Sequence, residues 1–501
     1  MDHDSVPFEI SGPRTHRVSD LREAYRRYTE RGLVTMAEKI AADRAYASND
    51  AGHFAWDVSY LVRAACIAWR ATGDSSHLHW AANWAQHMVE RTDEARGVED
   101  WRGRSSPVWS AGSRYTAGTA LVGEIGGVPL SLQAMAEGVR IERPSSNTAI
   151  IHTHRPDGQG WSSPEASLLP SEKDYLPDVL ARRSGMHTVL LRGLPAPVDL
   201  TSLPAGEHPL REQVAPHLVH TGLIARSLIE AAATIEDAAD DGISTEVDAE
   251  GLYGAALRAL LVHDDEIRTR SGQSWYVTPE DFPTRRLGLE LPHNQVVDVA
   301  TSFLLLGRRR GDAGLESLGT SLTRRFLKEI AAHEAGELRH PWFYYPVDAD
   351  TFSGVSRSVP LAERCVPPVA RAEDSSHATM RVRALVEWHA FDQALVSDQA
   401  LSTTAMTFRR FYMARRNGVA TLRWLPGDDS DAPRFGHSDT FSGAWAALAP
   451  WDSTIRRRIN SMAYRHPPRA VFGATVLSSA EILALNTGTP TCASWGQTAR
   501  G

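Results

Sequence analysis

The chain has 501 residues, of which 42% are hydrophobic and 23% are charged, and its formal net charge is −8. This composition is typical of a globular protein, and the acidic balance argues against nucleic acid as a partner, because phosphate-binding proteins need a dense positive face. No window approaches the roughly 20 uninterrupted apolar residues that cross a bilayer, so we expect no membrane partner either.

The first residues and the cysteines indicate where the protein works. Residues 1–17 lack the basic and apolar regions of a secretory signal, which predicts a cytoplasmic protein. The three cysteines, Cys66, Cys365 and Cys492, lie far apart, so the sequence predicts neither a disulfide framework nor a CxxC zinc site. It also contains no GxxxxGK[ST] loop for a nucleotide, and we expect no cofactor.

Helical hairpins are the main repeat. Apolar residues recur at spacings of three and four through most of the chain, which predicts helices. In residues 55–90, and again in residues 296–330, an apolar helix ends in a basic turn, a Gly-Asp step reverses the chain, and an amphipathic helix returns. The glycines, Gly73 and Gly311, suit a left-handed helix end, and the aspartates that follow them can cap the next helix.

Looser copies of the hairpin complete the count. They lie at 376–416, at 439–464, at 208–238 with 245–268, and around 113–137, with 19–47 and 470–486 as the first and last helices. Six hairpins can close on themselves, so we predict an all-α fold, an (α/α)6 toroid in which residues 1–501 are one domain. Residues 138–207 are rich in Pro, Ser and Gly, and we predict that they form a long irregular insertion, or flap, within it.

Polar motifs stand where the inner helices are predicted to begin. They are HFAWD (53–57), HPLREQVAPH (208–217), LPHNQ (291–295), EDSSH (373–377) and GHSDT (436–440). Inner helices of a toroid run parallel, so these motifs should gather at one mouth, where helix N-termini favour anionic ligands. The motifs contribute six catalytic candidates: His53, Asp57, His293, Glu373, Asp374 and His377. Asp, Ser and Asn are also common helix caps, so a structural role is the alternative.

A loop at residues 100–118 mixes aromatic and basic side chains. Such a mixture can stack on a ring-shaped ligand while it holds a carboxylate, and the alternative is an aromatic loop that packs on the rim of the toroid. From this loop Tyr115 joins the catalytic candidates. The substrate-binding candidates are Trp101, Arg102, Arg104, Trp109, Asn294, Trp342, Arg434 and His437. Other aromatic residues, among them Tyr344 and Tyr345, could line the same cavity or belong to the core.

Metal ligation is only weakly indicated. His53 with Asp57, and Asp374 with His377, have helical spacings at which each pair could supply two ligands. Neither pair resembles an HExxH motif, so we predict no metal site.

The hairpins with their RATGD-type turn, the WRGRSSPVW loop and the EDSSHA helix start resemble the six-hairpin (α/α)6-toroid superfamily. This group includes polysaccharide lyases, glycoside hydrolases and uronyl epimerases, and the resemblance covers residues 19–137 and 208–486. It implies an enzyme, a lyase or epimerase, that acts on a uronate-like or other carboxylate-bearing small molecule or oligosaccharide. Tyr115 or a pocket histidine would then be the base, and Arg102, Arg104 or Asn294 would stabilise an enolate-like state.

Three alternatives stay open. A glycoside hydrolase would need two carboxylates, for which Asp57, Glu373 and Asp374 are the candidates. A cyclase or isomerase of specialised metabolism would need acid–base histidines around a shaped apolar cavity. A non-catalytic carbohydrate-binding protein would have histidines that titrate normally and lie far apart.

Overall fold

The fold is known from a computed structural model. It describes residues 18–112, 115–154, 160–182, 189–192, 197–284, 288–353, 370–416, 419–427, 437–468 and 470–492. The chain is 53% helical and 15% strand, and its strands form several antiparallel sheets. The prediction of an all-α (α/α)6 toroid is therefore wrong, and the protein is of the mixed α/β class.

The described elements fall into long helices, a few short helical turns and twelve short strands. The α-helices are α1 (Val18–Ala42), α2 (Ser59–Thr72), α3 (Ser75–Val89), α4 (Asp93–Arg96), α5 (Leu176–Arg182), α6 (Leu218–Asp240), α7 (Ala249–Leu261), α8 (His293–Arg310), α9 (Ala313–Glu334), α10 (Asp350–Ser353), α11 (Ser375–Phe391), α12 (Asp398–Thr407), α13 (His437–Ala446), α14 (Ser453–Arg465) and α15 (Gly473–Thr487). The strands are β1 (Gly118–Ile125), β2 (Val128–Ala134), β3 (Gly138–Ser145), β4 (Thr148–His154), β5 (Trp161–Ser162), β6 (Ala166–Ser167), β7 (Val189–Arg192), β8 (Gly206–Pro209), β9 (Ile267–Arg270), β10 (Gln273–Tyr276), β11 (Met413–Arg416) and β12 (Val419–Leu422). One-turn π-helices at Phe54–Val58 and Phe408–Tyr412 adjoin α2 and α12.

Six helices contact one another in cyclic order. Helix α2 packs on α6, α6 on α8, α8 on α11, α11 on α13, α13 on α15, and α15 on α2. A second helix packs against each of these, namely α3 on α2, α7 on α6, α9 on α8, α12 on α11, α14 on α13 and α1 on α15. We call the first six the ring helices. They and their partners hold the larger of two hydrophobic cores.

The predicted turn chemistry of the two clearest hairpins is confirmed. Gly73 and Gly311 end α2 and α8 with φ of +73° and +64°, in the left-handed region that favours glycine. Asp74 then accepts a hydrogen bond from the backbone N–H of Ser76, and Asp312 caps α9 in the same way. These contacts are local in sequence, which is why the spacing alone predicts them.

The described residues between 138 and 207 include strands β3 to β7, the start of β8 and helix α5, where the sequence predicts an irregular insertion. Together with β1 and β2 they form a three-stranded antiparallel sheet in the order β1-β2-β7 and a five-stranded sheet in the order β5-β4-β3-β8, in which β6 also pairs with β4. Alternate residues of β4 are buried, as the pairing of a half-buried strand requires. This β-module surrounds a second hydrophobic core that includes Leu132, Ile141, Ile151 and Tyr175.

Among the described residues, one helix is long and apolar enough to cross a membrane. It is α6, and the whole of its apolar window is buried inside the protein. Because α6 packs on α2, α7 and α8, its apolar surface is already covered by other helices.

Buried ion pairs connect the ring helices internally. Arg226 of α6 lies 2.9 Å from Glu230 and 2.8 Å from Glu387 of α11, and its side chain is fully buried. Arg63 of α2 lies 2.9 Å from the same Glu387 and 3.8 Å from Asp298 of α8. Helices α8 and α11 are not neighbours of α2 in the cyclic order, so the network crosses the inside of the ring.

The network keeps Glu230 charged, whereas burial raises the pKa of Asp298. Burial raises the pKa of Glu230, but the nearby Arg226, Arg70 and Arg63 outweigh it and lower the pKa to about 2. Arg70 contributes a contact of 2.6 Å to Glu230. Removal of one arginine would leave its buried carboxylates with one charged partner fewer and the network with excess negative charge, which is far more costly than the loss of an exposed pair.

We therefore expect Arg226→Met to lower the free energy of unfolding by about 3–5 kcal/mol, because Glu230 and Glu387 lose a buried partner. Arg310→Met is the control, since the Glu250 partner of Arg310 is 70% exposed and such pairs contribute about 0–1 kcal/mol. Urea unfolding of both variants measures the difference. Equal, small losses in the two variants would contradict a structural role for the network.

Candidate functional site

A cavity of about 310 Å³ opens where several ring helices begin. Its wall includes Trp56 before α2, His217 before α6, Asn294 in the first turn of α8 and His377 in the first turn of α11. These residues come from four of the five polar motifs that the sequence singles out. The fifth motif, at 436–440, contributes no lining residue among those described, and Arg434 and the side chain of His437 lie outside the described residues.

His377 and Asp374 form a charged pair at the start of α11. The two side chains meet at 2.6 Å between Nδ1 and Oδ2, and Asp374 also caps the helix by accepting from the backbone N–H groups of Ser376 and His377. Burial raises the pKa of Asp374, but hydrogen bonds from His377 and Ser376 outweigh it and lower the pKa to about 2. Burial opposes the charged imidazole, but Asp374 outweighs it and raises the pKa of His377. Since Nδ1 faces Asp374, Nε2 is the nitrogen that His377 can present to a ligand.

His217 has the opposite electrostatic character. Burial lowers its pKa to about 3, so the ring is neutral near pH 7. Its Nε2 is buried and has no hydrogen-bond partner in the part of the chain that the structure describes. The ring of Tyr115 lies 5.7 Å from that of His217 and 4.4 Å from that of His220, measured between ring centroids. His220 is held in place because its Nε2 accepts a 3.0 Å hydrogen bond from Trp56.

Gly52 makes room for Tyr115. This glycine has a φ of +80°, and a Cβ atom at its position would lie 2.5 Å from the phenol oxygen of Tyr115. The close approach therefore depends both on a backbone conformation that favours glycine and on the missing side chain. Tyr115 is positioned by the loop that precedes the helical turn at HFAWD, a contact that its own sequence neighbours do not reveal.

Acceptor groups line the rest of the cavity. The Oδ1 atom of Asn294 is buried without a hydrogen-bond partner among the described residues, and the whole residue is only 2% exposed. Glu266 lies 2.8 Å from Nδ1 of His263. Burial raises the pKa of Glu290 to about 7, although Arg325 donates to it from Nε at 2.9 Å. An unpartnered buried acceptor is costly, so this wall favours a ligand that brings hydrogen-bond donors.

Several sequence candidates lie in the core instead of the cavity wall. Trp109 donates from Nε1 to the carbonyl oxygen of Met88, and Trp342 is fully buried against Tyr412 and Trp445. Both tryptophans therefore pack within the helical body.

Two acid–base candidates also face other partners. Glu373 is fully buried and accepts from Arg381 at 2.7 Å, and burial raises its pKa to about 7. His293 is 4% exposed, and its Nε2 lies 3.0 Å from Glu329 of α9. Neither side chain lines the cavity that contains Asn294.

His53 and Asp57 meet each other before α2. Nδ1 of His53 lies 3.2 Å from Asp57, which also accepts from the hydroxyl of Tyr46 at 3.0 Å and from the backbone N–H of Gly473 at 3.0 Å. The last contact joins α2 to the start of α15, so Asp57 connects two ring helices.

The loop candidates lie close to the cavity but are already paired. Arg102 makes a two-point contact with Asp281 and lies over the ring of Trp101, which packs on the cavity residue Phe282. Arg104 is half exposed and lies 3.5 Å from Asp100. Arg102 and Arg104 are therefore neutralised by neighbouring carboxylates, and Arg114 lies outside the described residues.

Most of the lining residues were not among the sequence candidates, and they include His217, Tyr344 and Glu266. His217 lies inside the HPLREQVAPH motif, but its neighbours gave no reason to single it out. For Tyr344, the sequence left open whether the ring lines the cavity or belongs to the core. Glu266 lies in a short turn with no recognisable motif. In the described part of the chain, no group of three or more His, Cys, Asp or Glu residues is placed to hold a metal ion.

We expect Asp374→Asn to lower the pKa of His377, because the neutral amide still caps α11 but no longer stabilises the imidazolium. The raised pKa makes His377 contribute stability that is present below about pH 6.5 and is lost as pH rises through the folded value. Titration of ¹³C-labelled histidine by NMR, with His377→Ala to assign the signal, measures the shift. Asp248→Asn, at the cap of α7, is the control, and an unchanged His377 pKa in Asp374→Asn would contradict the pairing.

We also expect Gly52→Ala to destabilise the protein more than Gly488→Ala. Both glycines have a positive φ, but no atom lies within 4 Å of a Cβ placed at Gly488, so only the backbone cost of about 1 kcal/mol applies there. Urea unfolding gives both values, and repeating it in a Tyr115→Ala background tests the cause. An excess cost of Gly52→Ala that persists without Tyr115 would show that the phenol is not responsible.

Comparisons with known proteins assign no family to this chain. No family model matches it, and neither a curated protein nor a solved structure is significantly similar. The resemblance to the toroid superfamily therefore stays a prediction, and a functional hypothesis must rest on the chemistry of the cavity itself.

Proposed function

We propose that the protein is a cytoplasmic enzyme that moves a proton at a carbon next to a carboxylate or carbonyl group, as a lyase or an epimerase does. The observation that carries this proposal is the convergence on one cavity of three groups suited to proton transfer, Tyr115, His217 and His377, together with the hydrogen-bonding amide of Asn294. The substrate would be a small molecule or the end of an oligosaccharide, because the cavity holds about 310 Å³.

The two histidines suit different roles. His217 is neutral, and its Nε2 has no partner among the described residues, so its lone pair can face a C–H bond. A carboxylate bound nearby would raise its pKa from about 3 toward that of an effective base. The C–H electron pair then moves to the adjacent oxygen, where negative charge develops. The imidazolium of His377 and the amide of Asn294 are suited to stabilise that oxygen.

Tyr115 would make the second proton transfer, either in an epimerase or in a lyase. In an epimerase it would return a proton to the opposite face of the same carbon. In a lyase the electron pair would instead expel an oxygen substituent from the next carbon, and Tyr115 would donate the proton that this leaving group needs. Both sequences conserve charge and need no oxidant.

A glycoside hydrolase is less well supported. It needs two carboxylates on either side of the scissile bond. None of its sequence candidates, Asp57, Glu373 and Asp374, lines the cavity, and the two glutamates that do line it, Glu266 and Glu290, are paired with His263 and Arg325. This arrangement favours proton transfer by histidine and tyrosine over hydrolysis by paired acids.

The test is mass spectrometry of uronic-acid oligosaccharides and host metabolite extract incubated with the protein in heavy water. Deuterium gain without cleavage indicates an epimerase, and cleavage with a new double bond indicates a lyase. His377→Ala and His217→Ala should each reduce the change by about 100-fold or more, since general acid–base groups contribute about 10²–10⁴-fold.

His154→Ala is the matched control, because this histidine lies in β4 with its side chain 53% exposed. It should leave the reaction unchanged. Cleavage with addition of water, or a mass change that persists in both cavity variants, would refute the proposed chemistry. So would the absence of any variant-sensitive change.

A further inference from the structure

Arg371 is an exposed arginine next to the lining residue Tyr344, and it has no carboxylate partner among the described residues, although it does not itself line the cavity. The guanidinium of Arg371 lies 4.0 Å from the ring centroid of Tyr344, whose side chain lines the cavity. The backbone N–H of Tyr344 donates to the carbonyl oxygen of Arg371 at 3.1 Å, which fixes the two residues side by side. Arg371 forms no ion pair with any carboxylate among the described residues.

The same tyrosine ring also contacts His377. The two ring centroids lie 5.7 Å apart in an edge-to-face arrangement. Two groups with positive charge, Arg371 and His377, therefore flank one lining residue. Arg371 lies close enough to His377 for its positive charge to act against the protonated ring and to lower the pKa of His377, although Asp374 raises that pKa overall.

Stacking leaves the arginine ready to bind an anion. A guanidinium that lies over an aromatic ring uses its flat face, so the N–H groups along its edge stay available for a two-point contact with a carboxylate. Other arginines near the cavity lack this freedom, because Arg102 is paired with Asp281 and Arg325 with Glu290. Among the described arginines around the cavity, Arg371 is the one suited to an external anion.

The rest of the cavity lining contains hydrogen-bond acceptors, so it favours a ligand that brings donors. Asn294 Oδ1 has no partner among the described residues, and Glu266 and Glu290 offer further acceptor oxygens. Hydroxyl groups of a ligand would meet this need, while aromatic faces such as Trp56 can pack on its C–H surfaces.

We propose that Arg371 and His377 bind the carboxylate of a hydroxylated organic acid, with a hexuronic acid as the representative ligand. The inference rests on the proposed function for the choice of site, and it adds the group that orients the substrate. A carboxylate held on this wall would place its neighbouring carbon and hydroxyl groups toward Asn294 and the acceptors of the cavity.

Isothermal titration calorimetry tests the proposal with two probes, D-glucuronate and its neutral methyl ester. The wild-type protein should bind glucuronate more tightly than the ester. Arg371→Met should weaken glucuronate binding about 10-fold to 100-fold, the range for loss of a charged hydrogen bond, and should leave ester binding unchanged. The glucuronate affinity of Arg371→Lys should lie between those of the wild type and Arg371→Met, because lysine keeps the charge but loses the planar two-point contact.

Arg410→Met is the matched control. Arg410 is also exposed and lies 5.2 Å from the ring centroid of Phe411, away from the cavity lining, so this variant should bind both probes as the wild type does. Absence of glucuronate binding by the wild type would overturn the proposal, as would equal affinity for both probes or unchanged affinity in Arg371→Met.

Different experimental results would reject the proposed function and the proposed carboxylate site. Variant-sensitive proton exchange without Arg371-dependent glucuronate binding would retain the enzyme and reject this carboxylate site. Arg371-dependent binding without any proton exchange would retain the site and reject the chemistry.

Discussion

Arg226 and Glu387 meet inside the ring, and the packing of the helices around them depends on their charges being balanced. Three arginines and three carboxylates of this network come from α2, α6, α8 and α11, and each depends on partners from other helices. Buried charges tolerate little change of geometry, because a displaced partner leaves the other in a medium that solvates it poorly. The network thus restricts how those four helices can shift relative to one another, and it fixes the helix starts that form the cavity.

The features that sequence reasoning predicted well are the local ones. Gly73 with Asp74, and Gly311 with Asp312, reverse the chain through contacts among residues a few positions apart, so spacing is sufficient evidence. The β-module was missed partly because residues 113–137 were interpreted as a helical hairpin, although they contain β1 and β2, which the adjacent pair Gly126-Gly127 joins as a local β-hairpin. The pairing of β2 with β7 across more than fifty positions, in contrast, has no local signal in the sequence.

In the candidate site, the sequence locates a motif but does not tell which of its side chains faces the cavity. The LPHNQ motif marks the right place, but His293 turns toward Glu329 whereas the next residue, Asn294, lines the cavity. Adjacent residues on a helix point about 100° apart, and only the packing of α8 decides which one faces inward. In EDSSH, Glu373 precedes the helix and is buried against Arg381, whereas His377, in the first turn of α11, reaches the cavity wall. Arg371 belongs to no motif that the sequence singles out, and only its contact with the ring of Tyr344 makes it a candidate for binding a ligand.

The network also lies beneath the cavity. Arg63 lies seven residues beyond Trp56, and Arg226 seven beyond Val219, so on each helix the ion pairs lie two turns, or about 10 Å, below a lining residue on the same face. In the described part of the chain, a charged layer therefore underlies the cavity lining. In the enzyme proposed above, a substrate that entered at the helix starts would leave by the same mouth, so each product would depart before the next substrate could bind. A polymer would then be processed from its end.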